Sequence, residues 1–162
     1  MKIVGILLLD IVIVYIGFTK TSQYKNKIKI QHRIHMLVDD IANRIRYINQ
    51  PIDQIIKDLS CDDKYSNLDF INDLYIPTGS RDKNINSSKT LATFTVEEKT
   101  HVKDFFNSLG NSDTTGQIAL CDMYKKIIKA DIDYSIETYS SKGKLYKPLS
   151  IMTAVSVTII LL

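Results

Sequence analysis

Two apolar segments, one at each end of the chain, most constrain its fold. Residues 3–18 carry one charged side chain, Asp10, and residues 148–162 carry none. As a helix, the first segment would reach about 24 Å, slightly less than a hydrocarbon core of about 30 Å. Nearly all of the polar sequence lies between the two segments. We therefore expect two transmembrane helices, at residues 1–19 and 146–162.

A polar domain of residues 20–145 is expected between these helices. Basic residues without intervening acids follow the first helix and precede the second: Lys20, Lys25, Lys27, Lys29 and Arg33, then Lys142, Lys144 and Lys147. Because basic flanks stay on the cytoplasmic side, this bias places the domain in the cytoplasm and both termini across the membrane. Two cysteines, Cys61 and Cys121, are too few for a disulfide scaffold and suit that reducing compartment.

The first segment has an alternative interpretation as a cleaved secretory leader. Lys2 gives it a basic start, and its apolar run is short. The run ends in Tyr15-Ile-Gly-Phe18 instead of an A-x-A-like cleavage site, which favours an uncleaved membrane helix. A cleaved leader would export residues 20–145 as an extracytoplasmic binding or sensor domain, which is the alternative to a membrane-anchored cytoplasmic domain.

The domain shows apolar residues at helical spacing and no sustained two-residue alternation. The first helical stripe consists of Ile30, Ile34, Leu37, Ile41, Ile45 and Ile48. A helix beginning at Pro51 would present Ile52, Ile55, Ile56 and Leu59, and a third would present Leu68, Ile71, Leu74 and Tyr75. We therefore expect an all-α fold, a bundle of about five or six helices flanked by the two transmembrane helices.

Turn-forming and helix-capping residues divide the second half of the domain. Residues 77–90 are rich in turn formers and predict a surface loop. Thr95-Val-Glu-Glu98 is a capping box, and Gly110 suits a left-handed C-terminal cap. The helix between them carries Val102, Phe105, Phe106 and Leu109. The next helix, capped by Ser112 or Asp113, carries Ile118, Cys121, Tyr124, Ile128, Ile132, Ile136 and Tyr139.

No pattern of residues indicates catalysis. His32 and His35 lie three apart and could share a metal on the helix surface, but a solvated basic face is favoured. Asp62 and Asp63 are adjacent and favour turn or capping roles. P-loop, dinucleotide and GxSxG motifs are absent from the sequence. We expect no enzyme activity, cofactor, metal, small-molecule substrate or nucleic-acid partner, and cysteines that pack instead of reacting.

Several short motifs occur in a recognisable order. They are Gly17-Phe18, Tyr24, Ile45-Arg-Tyr47 with Pro51-Ile52, Leu109-Gly-Asn-Ser-Asp113-Thr-Thr-Gly-Gln117, and Lys144-Leu-Tyr-Lys-Pro-Leu149. Their order and spacing resemble the stage III sporulation protein AB family. The chain departs from the family pattern at Arg44, where Glu is usual, in having no Trp, and at Ser150 and Ala154, which replace glycines. These motifs give no alignment of residues 60–95 to the family.

The resemblance implies a component of the channel complex that joins mother cell and forespore. It places the chain as a multi-pass protein of the outer forespore membrane, with its domain in the mother-cell cytoplasm. It also implies a likeness to the cytoplasmic domain of the type II secretion F protein. The expected partners are the secretion-type ATPase, stage III sporulation protein AA, and other channel-complex subunits. The expected function is a non-catalytic platform that docks this ATPase.

The segment containing Leu109, Gly110, Asp113 and Gln117 is a candidate site with two interpretations. It is either the end of one helix and the start of the next, or a contact with a partner. Asp113 would then act as a helix cap, or its surroundings would recognise another subunit.

The membrane helices carry a second set of candidate residues. A charge at Asp10 costs roughly 2.5–3.5 kcal/mol on insertion scales, so this residue is expected to be protonated, paired or facing protein. Ser150 and Ala154 lie four apart on one helix face and are small enough for another helix to approach closely. Their partner is either the chain's own first helix, through Gly5 and Gly17, or another membrane subunit.

Overall fold

The structure is a computed structural model, and every regular element that it describes is helical. It describes residues 2–48, 50–73, 85 and 87–161, with side chains from residue 5 onwards except at residues 7, 72 and 73. No strand occurs within these ranges. The predicted all-α fold class is confirmed.

The helices follow one another along the chain with two π-helical turns between them. They are α1 Lys2–Asn43, α2 Ile52–Ser60, α3 Phe70–Asp73, α4 Val96–Ser108, α5 Thr114–Thr138 and α6 Tyr146–Leu161. The π turns cover Arg44–Ile48 and Tyr139–Gly143, and a 3-10 turn covers Asp63–Tyr65. The first apolar segment and the first domain helix, expected as separate elements, form the single helix α1. The number of helices in the bundle stays a prediction, because residues 74–84 lie outside the described ranges.

The chain divides into two compact units. Residues 1–28 with 134–162 form one unit, which we call the helix pair, and residues 29–133 form the other, which we call the core domain. Within the described residues, one helical stretch, Thr114–Leu161, is long and apolar enough to cross a membrane. The transmembrane helix at residues 1–19 and the domain boundaries stay predictions.

Large apolar side chains fill the core domain. Phe105 and Phe106 of α4 pack edge to face with ring centroids 4.9 Å apart. The ring of Phe105 also lies 5.4 Å from that of Tyr124 in α5, and Phe106 lies 5.8 Å from Phe70. The buried residues from α1 and α2 are Ile30, Ile34, Leu37, Val38, Ile41, Ala42, Ile45, Ile55, Ile56 and Leu59. These residues confirm the predicted stripes of α1 and α2 apart from Ile48, and Ile52 packs partly buried against the same core.

Some predicted positions need correction. Ile48, expected on the buried stripe, is 64% exposed, because the π turn has more residues per turn than an α-helix and rotates Ile48 off that face. Ile136, also expected to be buried, is exposed because it belongs to the helix pair, whose large apolar side chains mostly face outward.

Residues 77–84 and 86 of the predicted surface loop lie outside the described ranges, and two of the described positions in 77–90 are buried instead of exposed. Ile85 is fully buried in the core, and Ser88 is buried with its hydroxyl donating to Asp69. An isolated apolar residue among turn formers gives no periodic signal, so its burial depends on packing alone. Leu74 and Tyr75, predicted on the third helix, lie outside the described residues.

Candidate functional site

The close approach of α1 and α6 in the helix pair occurs at Gly17 and Ser150. Gly17 is buried, and a Cβ added to it would overlap Ser150 Oγ and would lie 2.8 Å from the carbonyl oxygen of Tyr146. Ser150 and Ala154 are both buried, so this face of α6 is covered. Gly5, the other small surface proposed for α1, has nothing within 4 Å of a hypothetical Cβ. Packing against another membrane subunit stays a prediction.

Polar and aromatic contacts flank this approach. The hydroxyl of Thr21, which is buried, lies 3.0 Å from the carbonyl oxygen of Gly17 and 3.2 Å from that of Gly143. The rings of Tyr24 and Tyr146 stack with centroids 6.1 Å apart. Burial, together with the neighbouring Tyr146, raises the pKa of Tyr24, so its hydroxyl stays protonated at neutral pH.

Asp10 pairs with a hydroxyl on α6. Thr158 Oγ1 lies 2.5 Å from Asp10 Oδ2 and 3.1 Å from the carbonyl oxygen of Ala154, and its single hydrogen can be donated to either. Asp10 Oδ1 is buried without a hydrogen-bond partner among the described residues. The carboxyl group therefore faces protein on one side, which is one of the three arrangements expected for Asp10.

The junction between α4 and α5 is built from caps. Gly110 has φ +91°, the left-handed conformation that favours glycine after a helix. Asp113 Oδ1 accepts a hydrogen bond of 3.0 Å from the backbone N–H of Gly116, as an N-cap residue does. Leu109 is buried, whereas Asn111 and Asp113 are exposed.

The side chain of Gln117 forms hydrogen bonds to two residues inside this junction. Its side chain is buried, and its Oε1 accepts a hydrogen bond of 3.0 Å from the backbone N–H of Gly110. Its Nε2 donates to Ser112 Oγ at 2.9 Å. Of the four candidate residues, Leu109 and Gln117 are therefore structural, and a partner could reach only the exposed residues between them. A partner contact there stays a prediction.

A polar network inside the core domain was not indicated by any sequence motif. Gln31 of α1 is buried, and its Nε2 donates to Glu98 Oε1 at 3.0 Å and to the carbonyl oxygen of Asp131 at 3.4 Å. Glu98 also accepts from the backbone N–H of Thr95 at 2.7 Å, which completes the predicted capping box. His101, which looks isolated in the sequence, lies 2.8 Å from Asp131 through Nδ1 and Oδ2.

A second network surrounds Asp40. Its Oδ2 accepts hydrogen bonds from Lys64 Nζ at 2.8 Å and from Tyr65 OH at 2.5 Å. Burial acts to raise the pKa of Asp40, but the bonds from Lys64 and Tyr65 outweigh it and hold that pKa below its ordinary value. Burial and the bond to Asp40 raise the pKa of Tyr65 to about 12.

The described residues offer no metal centre. No group of three or more His, Cys, Asp or Glu side chains within them could hold an ion. Burial and the nearby Lys125 lower the pKa of His35, so its imidazole is neutral at physiological pH. Asp62 caps the 3-10 turn by accepting from the backbone N–H of Lys64 at 2.9 Å, which is the role predicted for it.

The two cysteines differ in environment. Cys121 is fully buried, and burial raises its pKa to about 11, so it packs as expected. Cys61, also expected to pack, is exposed because it forms the C-cap of α2 at the surface. Both thiols are free.

Comparison with known proteins gives one family match. The model of the family described as stage III sporulation protein AB matches residues 77–162, slightly more than half of the chain. No curated protein and no solved structure matches the chain. The matched range contains the α4–α5 junction and the whole of α6, whereas the motifs at Gly17 and Ile45 lie outside it. The chain therefore belongs to the stage III sporulation protein AB family.

Proposed function

We propose that the chain is a non-catalytic membrane platform of the mother cell–forespore channel complex, and that its core domain docks a secretion-type ATPase, stage III sporulation protein AA. The observation that carries this proposal is the family match over residues 77–162. A helical stretch long and apolar enough to cross a membrane supports the membrane anchor. A likeness of the core domain to the cytoplasmic domain of the type II secretion F protein is part of the same proposal.

Two exposed places on the core domain offer contacts to a partner protein. The π turn after α1 carries Tyr47, 77% exposed, and Ile48, 64% exposed, beside Arg46, which pairs with Asp122 at 3.5 Å. Aromatic residues such as Tyr47 are enriched in protein contact sites relative to the rest of a protein surface. The second exposed place is the part of the α4–α5 junction formed by residues 111–113.

Co-purification from sporulating cells tests the docking role. The intact protein should capture the ATPase, and Tyr47→Ala should reduce the amount captured at least severalfold while the helical content and melting temperature stay unchanged. Val96→Ala is the matched control, because Val96 is 84% exposed on a different element. Equal capture by both variants would exclude the π turn as a contact, and no ATPase among the bound chains would overturn the docking role.

Topology is tested with a cysteine that the chain already has. Cys61 is exposed and Cys121 is buried, so a membrane-impermeant maleimide can label the folded protein only at Cys61. We expect no labelling in intact protoplasts of vegetative cells that express the chain in their cell membrane, and labelling after permeabilisation, with Cys61→Ser as the unlabelled control. Labelling of intact protoplasts would instead support the exported binding or sensor domain, and it would exclude docking of a cytoplasmic ATPase.

A further inference from the structure

A cavity in the helix pair lies where both apolar segments end. It has a volume of about 400 Å³ and is lined by Phe18, Thr19, Thr21, Ser22, Lys25 and Lys147. Phe18 is the last apolar residue of the first segment, and Lys147 is the last charged residue before the second. If the two segments cross a membrane as proposed, the cavity lies at the boundary between hydrocarbon and headgroups.

Two uncompensated cations line this cavity. Neither Lys25 nor Lys147 forms an ion pair with a described residue, and both lie near aromatic rings instead. Lys147 Nζ is 4.4 Å from the ring centroid of Phe18, and Lys25 Nζ is 5.9 Å from that of Tyr139. A ring face attracts an ammonium group but does not cancel its charge, so both side chains remain available to an anion.

The surroundings reinforce the positive charge. Residues 19–38 and 138–162 contain no acidic side chain. The hydroxyl of Thr21 is directed to carbonyl oxygens, whereas Ser22 is exposed and adds a donor beside Lys25. A phosphatidylcholine headgroup would bring its own quaternary ammonium towards these lysines, whereas a phosphatidylglycerol headgroup would bring only its phosphate and neutral hydroxyls.

The shape of the cavity also suits a lipid. Its volume falls within the range of roughly 300–1,000 Å³ that is usual for small-ligand sites. The Phe18 side, which continues into the exposed apolar face of α1, would contact the start of an acyl chain. The lysine side would contact the phosphate, since juxtamembrane lysines attract anionic lipids.

We propose that this cavity binds the headgroup phosphate of an anionic phospholipid, held between Lys25 of α1 and Lys147 of α6. The inference rests on the membrane anchoring of the proposed function. The bound lipid would bridge the two helices just outside the hydrocarbon core, next to the close contact between Gly17 and Ser150.

The test uses the full chain synthesised in the presence of vesicles. Spin-labelled phosphatidylglycerol and phosphatidylcholine report the preference of the protein for each lipid at its surface. We expect wild-type protein to prefer phosphatidylglycerol severalfold, and Lys25→Gln combined with Lys147→Gln to bring the ratio close to one. The matched control is Lys57→Gln combined with Lys126→Gln, which removes two exposed charges from the core domain and should leave the ratio unchanged.

Three outcomes would overturn the inference in distinguishable ways. Failure of the wild-type chain to float with phosphatidylcholine vesicles would overturn the membrane anchor and the lipid site with it. Flotation with the same lipid preference in wild type and the Lys25/Lys147 double variant would overturn the lipid site alone. Displacement of phosphatidylglycerol by millimolar glycerol phosphate or inorganic phosphate would show a site for free phosphates instead of lipids.

Discussion

In the core domain most buried side chains are large and apolar, with Leu59, Phe70 and Phe105 almost fully enclosed. In the helix pair the buried residues are mostly small or hydroxylated: Gly17, Thr21, Ser135, Gly143, Ser150 and Ala154. The large apolar residues of the helix pair, such as Leu8, Tyr15 and Ile159, are exposed. Water drives the first arrangement, whereas the second suits a lipid surrounding, in which helices associate through close packing and hydrogen bonds.

Charge separates the two units as well. The helix pair has seven lysines and two acids, a net charge of +5, whereas the core domain has 14 basic and 16 acidic residues, a net charge of −2. The overall charge of +3 conceals this difference. The positive unit is the one that we propose to lie against anionic lipid, and the nearly neutral unit is the one that we propose to contact proteins.

A Leu→Ala substitution in each unit gives the largest expected difference in the free energy of unfolding. Leu59→Ala should lower the free energy of unfolding of the core domain by about 2–5 kcal/mol, because Leu59 is fully buried and its loss leaves a cavity. Leu8→Ala should have little effect on either unit, because Leu8 is 60% exposed. Urea unfolding of the intact protein in mild detergent measures both, and equal losses would contradict the contrast.

The Asp40–Tyr65 pair shows how the core domain keeps a polar group inside. Tyr65→Phe should cost about 1.5–3 kcal/mol, because it removes a hydrogen bond to a charged group. The pKa of Tyr65 is raised to about 12 from about 10 when unfolded, so its stabilisation is complete below pH 10 and is lost as the pH rises from about 10 to about 12.

Tyrosinate absorbance and urea unfolding against pH measure this effect. Wild type should lose stability over that alkaline interval and Tyr65→Phe should lose less, whereas Tyr47→Phe, at an exposed position, should behave as wild type. An identical alkaline profile for Tyr65→Phe and wild type would show that neither burial nor the bond to Asp40 raises the pKa of Tyr65 in the folded protein.

Features that depend on neighbouring residues were predictable from the sequence. The capping box at Thr95–Glu98, the left-handed Gly110 and the apolar stripe at Ile34, Leu37 and Ile41 were all predicted and are present. Each arises from local hydrogen bonding or from a period of 3.6 residues, which a single segment contains in full.

Features that join distant segments were not predictable in this way. The Gln31–Glu98 and His101–Asp131 contacts span 67 and 30 residues, and no local pattern marks either pair. The exposure of Ile48 follows from a π turn, which adds a residue to the turn without a recognisable composition. Of the candidate residues, the small face at Ser150 and Ala154 was predictable, but the bond from Thr158 to Asp10 was not.

Two glycines on α1 distinguish close packing from exposure within the helix pair. Gly17→Ala should destabilise the pair by about 1–3 kcal/mol, because the new Cβ would overlap Ser150 and the backbone of Tyr146. Gly5→Ala is the matched control, because its Cβ meets nothing within 4 Å. The stability of both variants is measured by unfolding in sodium dodecyl sulfate, monitored by energy transfer between labels at positions 9 and 159. A neutral Gly17→Ala would show that the helices do not pack at this point.

Two variants of Asp113, in the α4–α5 junction, distinguish a role in stability from a role in partner recognition. Asp113→Ala should cost about 0.5–2 kcal/mol through loss of the cap, whereas Asp113→Asn should keep the cap and remove only the charge. Melting temperature and sporulation efficiency are measured for both variants. If Asp113→Asn keeps its melting temperature but fails to support sporulation, the junction is a contact site and capping alone does not explain it.

The Asp10–Thr158 bond gives the smallest expected effect and the finest test of the helix pair. Thr158→Val removes the hydroxyl that bonds Asp10 Oδ2 and keeps the shape of the side chain. Interhelical hydrogen bonds in membranes average about 0.6 kcal/mol, so the pair should weaken by about this amount. Thr153→Val is the matched control, because Thr153 is exposed on the same helix and its hydroxyl bonds only the carbonyl oxygen of Leu149 at 2.8 Å. The labels at positions 9 and 159 report both variants, and an equal effect would mean that the loss comes from the backbone bond.

Asp10→Leu tests Asp10 Oδ1, which has no hydrogen-bond partner among the described residues. If assembly of the channel complex survives, Asp10 serves this helix pair alone. If assembly fails while the pair stays folded, Oδ1 binds a group on another membrane subunit.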